Sequence, residues 1–143
     1  MDAKLDKLIL DYCLQWIGVP YVWGGVGYGG TDCSGFVLQV LQARGVVPNK
    51  YDATSHDLYL KTKAGGMLKP KAHALAFYGK GGISNHVAYW LSSTHVIECA
   101  GGGSECTSRD IAEKKGAFVR IRPIMYRRDF LAVHEVADDA FQL

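Results

Sequence analysis

At 143 residues the chain is long enough to bury a core of its own and matches one ordinary domain, so we expect 1–143 to be a single domain. A hydrophobic share of 48% and a charged share of 21% exclude a disordered or fibrous chain, and a formal net charge of +2 is too slight a basic footprint for nucleic acid. No run approaches the ~18 apolar residues of a membrane span, and Asp2, Lys4, Asp6, Lys7 and Asp11 interrupt what a secretory signal would need. The expectation is synthesis in the cytoplasm without a signal peptide.

In chain order, residues 2–17 read as an amphipathic helix, because Leu5, Leu8, Ile9, Tyr12, Cys13 and Trp16 recur at steps of three and four. Gly18 and Pro20 stop it. YVWGG reads as extended and GVGYGGT as a loop. A second helix begins at Cys33, with Phe36, Val37, Val40 and Leu41 inward, Asp32 as N-cap and Gly45 as stop. Residues 46–54 read as a loop, and Thr54 or Ser55 caps a third helix through Lys63. HALAFYG, HVAYWL, HVIECA and AFVRIRP are short β-branched and aromatic runs bounded by turn residues, which predicts one antiparallel sheet. The tail from Tyr126 to Ala140 reads as a closing helix. Helices first and strands second predict an α+β fold.

Four cysteines stand at 13, 33, 99 and 106, with no CxxC and no zinc spacing, so free thiols are expected; the alternative is a Cys99–Cys106 pair across GGGSE. Cys33 has the setting of a nucleophile. A helix N-terminus stabilises the thiolate with unpaired N–H groups and its positive dipole end, and the same groups can hold an oxyanion. Such a nucleophile needs a base, and the candidates are His56, His73, His86, His95 and His134. His86 opens HVAYWL after a polar, glycine-containing loop. A hairpin with a three-residue turn at Leu91–Ser93 puts His86 opposite Glu98, an acceptor that orients the ring. A register slip of one residue brings His95 to that face instead. His56, His73 and His134 are read as solvated or hydrogen-bonded side chains.

PYVWGG, GTDCSGFV and a strand opening with HV, followed a dozen positions on by a polar residue, resemble the NlpC family of bacterial cell-wall cysteine endopeptidases from about Leu5 to Pro123. His73-Ala74-Leu75 stands where that family usually has Gly-Asp-Leu. The resemblance implies a minimal papain-like fold with the nucleophile heading a helix packed on an antiparallel sheet. By the same resemblance Cys33 is the nucleophile and His86 the base. The orienting position falls on Glu98, where family members often have His, Asn or Gln. Tyr21 falls on a tyrosine of the oxyanion hole, and Asp32 and Ser34 line the subsite for the free amino end of the stem peptide. The implied partner is bacterial peptidoglycan, cut at the D-glutamyl to diamino-acid bond, with no metal or organic cofactor. A phage lysin released through a holin, or a tail-associated peptidase, is the expected setting. The alternatives are an amidase or acyltransferase on the same fold and a non-enzymatic phage structural component.

Overall fold

The computed structural model describes residues 1–67 and 69–142. Helix α1 (Ala3–Gln15) starts at Asp2, whose carboxylate accepts the Leu5 N–H at 2.8 Å. It buries Ile9 and Cys13 against α2 (Cys33–Ala43), the apolar helix of the molecule's centre. Between them the glycine-rich loop forms a small hairpin, β1 (Val26–Gly27) and β2 (Gly30–Thr31). At its tip Tyr28 stacks on Trp16 at 4.1 Å, which ties the loop to the end of α1. Helix α3 (Ser55–Lys61) opens with a capping box, the Thr54 hydroxyl and the Asp57 carboxylate each accepting the other's backbone N–H.

The sheet is antiparallel and six-stranded. Its members are β3 (Gly66–Met67), β4 (Leu75–Lys80), β5 (Ile83–Trp90), β6 (His95–Ala100), β7 (Phe118–Pro123) and β8 (Phe130–His134), in the order β3-β8-β4-β5-β6-β7. One face packs Leu75, Phe77, Val87, Tyr89 and Ile97 against the helices. The other carries a smaller cluster around Tyr78, Ala88 and Trp90. The α+β architecture expected from the order of patterns is the one observed.

Four details differ from the expectation. The tail is not a closing helix: Ile124–Tyr126 make one 3₁₀ turn, and Phe130–His134 is β8. The reason lies in β4, which is buried from Leu75 to Gly79 and needs hydrogen-bonded neighbours on both edges. β5 supplies one ladder, and β8 supplies the other from Leu75↔His134 to Tyr78↔Phe130. A short helix α4 (Arg109–Lys115), capped by Ser108 and ended by left-handed Gly116, lies where no element was expected.

The β5–β6 turn is also longer than three residues. Ser92 Oγ accepts the N–H groups of Thr94 and His95, both at 3.2 Å, and this local turn spreads the connection over Leu91–Thr94. The observed pairs are Tyr89↔Ile97 and Trp90↔Val96, so continuing the ladder sets Ala88, not His86, opposite Glu98. A shift of two in pairing preserves the parity of the pleat, and Glu98 stays on the face of His86.

The alternative of a Cys99–Cys106 disulfide is excluded, since all four cysteines are free. The buried thiols donate instead to backbone carbonyls, Cys99 to Thr31 and Cys106 to Tyr21, each at 3.2 Å. Both bonds fasten the segment that leads into α2.

Candidate active site

That segment is held like a short strand. Tyr21 N–H donates to the Ala117 carbonyl at 3.0 Å, Trp23 N–H to Cys106 at 2.7 Å and Val22 N–H to Thr31 at 2.9 Å. The chain then turns at Asp32, whose Oδ1 accepts the Gly35 N–H at 2.8 Å and the Ser34 hydroxyl at 3.3 Å. Its Oδ2 accepts the Gly24 N–H at 3.0 Å, joining the helix cap to the loop before the hairpin. Asp32 is therefore the N-cap expected from the sequence, and Cys33 is the first residue of α2.

Gly35 makes this close fit possible. A Cβ there would stand 2.3 Å from the Gly25 carbonyl oxygen and 2.7 Å from Thr31 Oγ1, both far inside contact distance. Gly35→Ala is expected to lower stability by about 1–3 kcal/mol, the usual cost of overpacking. Thermal denaturation followed by circular dichroism checks it, and an unchanged melting temperature would show that the loop gives way freely.

His86 comes from β5. Tyr78 pairs with His86 and Gly79 with Ser84, so Asn85 has no partner and forms a bulge directly before the histidine. Helix α3 clamps the same spot: Ser55 Oγ donates to the Ser84 carbonyl at 3.1 Å, and Ser84 N–H donates to His56 Nδ1 at 3.2 Å. Ser84 Oγ in turn donates to the His86 carbonyl at 3.1 Å. His86 is 4% exposed and Glu98 1% exposed, and His86 Nε2 meets Glu98 Oε1 at 2.7 Å. This leaves Nδ1 as the ring nitrogen available to the Cys33 thiol. Burial alone would depress the imidazolium, but the bonds to Cys33 and Glu98 and their negative charges outweigh it, and the pKa of His86 is pushed up to about 9.

Cys33 lies partly exposed in a cleft of about 520 Å³ bordered by Trp23, Asp32, Ser34, His56 and Asn85. Tyr21 is buried with its ring against Gly102. Burial first, and then the negative charges of Cys33 and Asp32, push its phenol well above the ordinary tyrosine value, so the hydroxyl stays protonated. Cys33, Asp32 and Ser34 stand together at the head of α2, Glu98 backs His86, and Tyr21 lies in the segment that leads into the helix. His95 does not join them: it is exposed on the far side of the pleat, its Nδ1 2.8 Å from Thr94 Oγ1. His73 pairs with Asp6 and lies 2.6 Å from the Tyr89 hydroxyl, and His134 lies 2.9 Å from Thr62 Oγ1.

His56, read from the sequence as a solvated or hydrogen-bonded side chain, accepts the Ser84 N–H, stacks on Tyr59 and borders the cleft. One contact escaped the sequence reading. Tyr126 donates its hydroxyl to Glu98 Oε2 from 28 residues away, and no local pattern marks that contact.

Among the described residues no group of three His, Cys, Asp or Glu side chains is arranged to hold a metal ion. A thiol at the head of a helix that packs on an antiparallel sheet, with an imidazole from the sheet and an acceptor behind it, defines a papain-like α+β domain. The chain belongs to the NlpC/P60 family, whose model matches residues 18–122. It is 32% identical over 88 residues to the gamma-D-glutamyl-L-lysine dipeptidyl-peptidase of Bacillus subtilis, covering 57% of this chain and 27% of that protein. The curated relatives it matches are longer, and the chain spans about an eighth to a quarter of their length. The NlpC/p60 domain of the peptidoglycan hydrolase SagA superposes with a TM-score of 0.61 at 26% identity, over 92% of this chain and 98% of that one. RipD of Mycobacterium tuberculosis, a non-catalytic NlpC/p60 protein adapted to peptidoglycan binding, shares the fold at TM-score 0.62 and 20% identity, over 93% and 98% of the two chains.

Proposed function

We propose that the protein is a peptidoglycan hydrolase, a cysteine endopeptidase that cuts the stem peptide at the D-glutamyl to diamino-acid bond. The observation that carries this reading is the set Cys33, His86 and Glu98: a thiol at the head of a helix, a buried imidazole whose pKa that thiol helps to raise, and a buried carboxylate 2.7 Å from the imidazole Nε2. In the proposed reaction the Cys33 thiolate attacks the amide carbonyl, and the N–H groups at the head of α2 with the Tyr21 hydroxyl hold the oxyanion. The His86 imidazolium gives its proton to the leaving amine, and water then releases the acyl-enzyme with His86 as base. The choice of bond is supported by the name of the Bacillus subtilis relative, and the choice of polymer by that of SagA.

Asp32 is proposed to serve the free amino end of the stem peptide, although Gly24, Ser34 and Gly35 already occupy its oxygens as donors. A carboxylate has room for about four such bonds, so one ammonium donor still fits. The proposed setting is a phage lysin or tail-associated peptidase, and a net charge of +2 suits work beside an anionic wall. The rival non-enzymatic reading takes its support from RipD. An amidase or acyltransferase would use the same thiol and imidazole. Incubation with purified sacculi and mass spectrometry of the soluble products separates the three. New free diamino-acid amines support the endopeptidase, a transferred acyl group the acyltransferase, and binding without release the RipD-like role.

The raised pKa of His86 carries its own prediction. Leaving-group protonation needs imidazolium, which is held below a pKa of about 9 and lost above it. The kcat/KM profile is therefore expected to stay up through neutral pH and to fall as pH rises through about 9. An alkaline limb near the ordinary histidine value of about 6.5 would show that Glu98 and Cys33 do not act on this ring together.

A further inference from the structure

Glu98 is a carboxylate at 1% exposure, and both of its oxygens are accounted for. Oε1 faces His86 Nε2 at 2.7 Å. Oε2 accepts the hydroxyl of Tyr126. A buried carboxylate oxygen without a donor is costly, so this second bond holds Glu98 correctly turned behind the imidazole.

Tyr126 is itself fixed. It ends the 3₁₀ turn Ile124–Tyr126, which is anchored where Ile124 N–H donates to the Thr94 carbonyl at 3.1 Å and where the Ile124 carbonyl accepts the Tyr78 hydroxyl at 3.2 Å. The Arg122 guanidinium of β7 lies over its ring at 4.9 Å from the centroid, and the Tyr78 ring of β4 lies at 6.2 Å. Arg127 follows in sequence, paired with Asp129, and these with His86 complete the charged and titratable surroundings. Burial and the neighbouring Glu98 push the Tyr126 phenol well above its ordinary value, so the hydroxyl remains a donor at any working pH.

We propose that Tyr126 is a positioning residue of this site, whose hydroxyl holds the Glu98 carboxylate so that His86 presents Nδ1 to Cys33. It does not border the cleft and acts through Glu98 alone. The inference rests on the reading of Cys33, His86 and Glu98 as one unit, and its test uses no peptidoglycan. Cys33 is the one partly exposed cysteine among four, so iodoacetamide alkylation followed by intact mass reports the thiolate that His86 sustains.

Tyr126→Phe is expected to slow alkylation at neutral pH by about tenfold, the effect of one electrostatic contact, and to move the rate–pH profile toward alkaline pH. Glu98→Ala is expected to slow it at least as much. Adding Tyr126→Phe to Glu98→Ala should change the rate by less than about twofold, because both act through one carboxylate. A wild-type rate in Tyr126→Phe, or losses that multiply in the double variant, overturns the proposal. If Glu98→Ala alkylates like wild type, the unit itself fails and Tyr126 with it. If Glu98→Ala is slow while Tyr126→Phe is not, only the role of Tyr126 fails. Thermal melts check folding. Should Tyr126→Phe not fold, difluorotyrosine at position 126 keeps the ring and hydroxyl but alters the donor; an alkylation profile superimposable on wild type then overturns the proposal.

Discussion

Cys33→Ala is expected to abolish release of muropeptides from sacculi, by at least about 10³-fold, with the melting temperature close to wild type. The fold does not depend on the thiol. The helix is capped by Asp32, and Cys33 only borders the core, so Ala suits the first turn of α2. No other cysteine can stand in. Burial pushes the Cys13 thiol up to about 12 and raises Cys99 further, so both remain protonated at working pH. Cys106 is fully buried and donates to the Tyr21 carbonyl. His86→Ala should cost nearly as much, and the double variant hardly more, because groups that act on one proton do not add. The assay is soluble product per unit time, with circular dichroism as the folding control. Activity above a few per cent in Cys33→Ala would assign the attack to another residue.

What the chain reveals in one dimension follows how local each feature is. Asp32 as N-cap, Cys33 at the helix head and the glycine that lets α2 approach its neighbours sit within four residues of one another, and local rules find them. Alternation sets Glu98 and His95 on opposite faces of β6, but which of them shares the face of His86 depends on the register. That register was not legible, because it depends on Ser92 folding back onto Thr94 and His95. The closing helix failed for a non-local reason. Residues 130–134 are a strand because β4 is buried along both edges and needs a second partner, a demand made from far along the chain by Leu75↔His134 and its neighbours. Tyr126 belongs to the same class. It finds Glu98 through the turn between β7 and β8, which a reading of that segment as helix removes.

Glu98 is where sequence and site chemistry press hardest on each other. A charge at 1% exposure is unfavourable unless paired, and here the imidazole on one oxygen and a phenol on the other compensate it. Glu98→Gln keeps an acceptor for His86 Nε2 and turns its amide toward the Tyr126 oxygen, but it removes the charge that favours imidazolium. Activity on sacculi is expected to fall by about 10- to 100-fold, corresponding to roughly 1.4–2.8 kcal/mol on the barrier. The alkaline limb should also move below the wild-type value of about 9, since one of the groups that raise the His86 pKa is gone. Glu98→Ala should lose more, because it leaves His86 Nε2 and the Tyr126 hydroxyl without partners in a buried site. His95→Ala should stay near wild type, its ring being exposed and bonded only to Thr94. The three variants on one sacculus assay, with pH profiles for wild type and Glu98→Gln, decide the matter. An inactive His95→Ala beside an unaffected Glu98→Ala would mean that the working enzyme pairs β5 and β6 one residue out of the observed register.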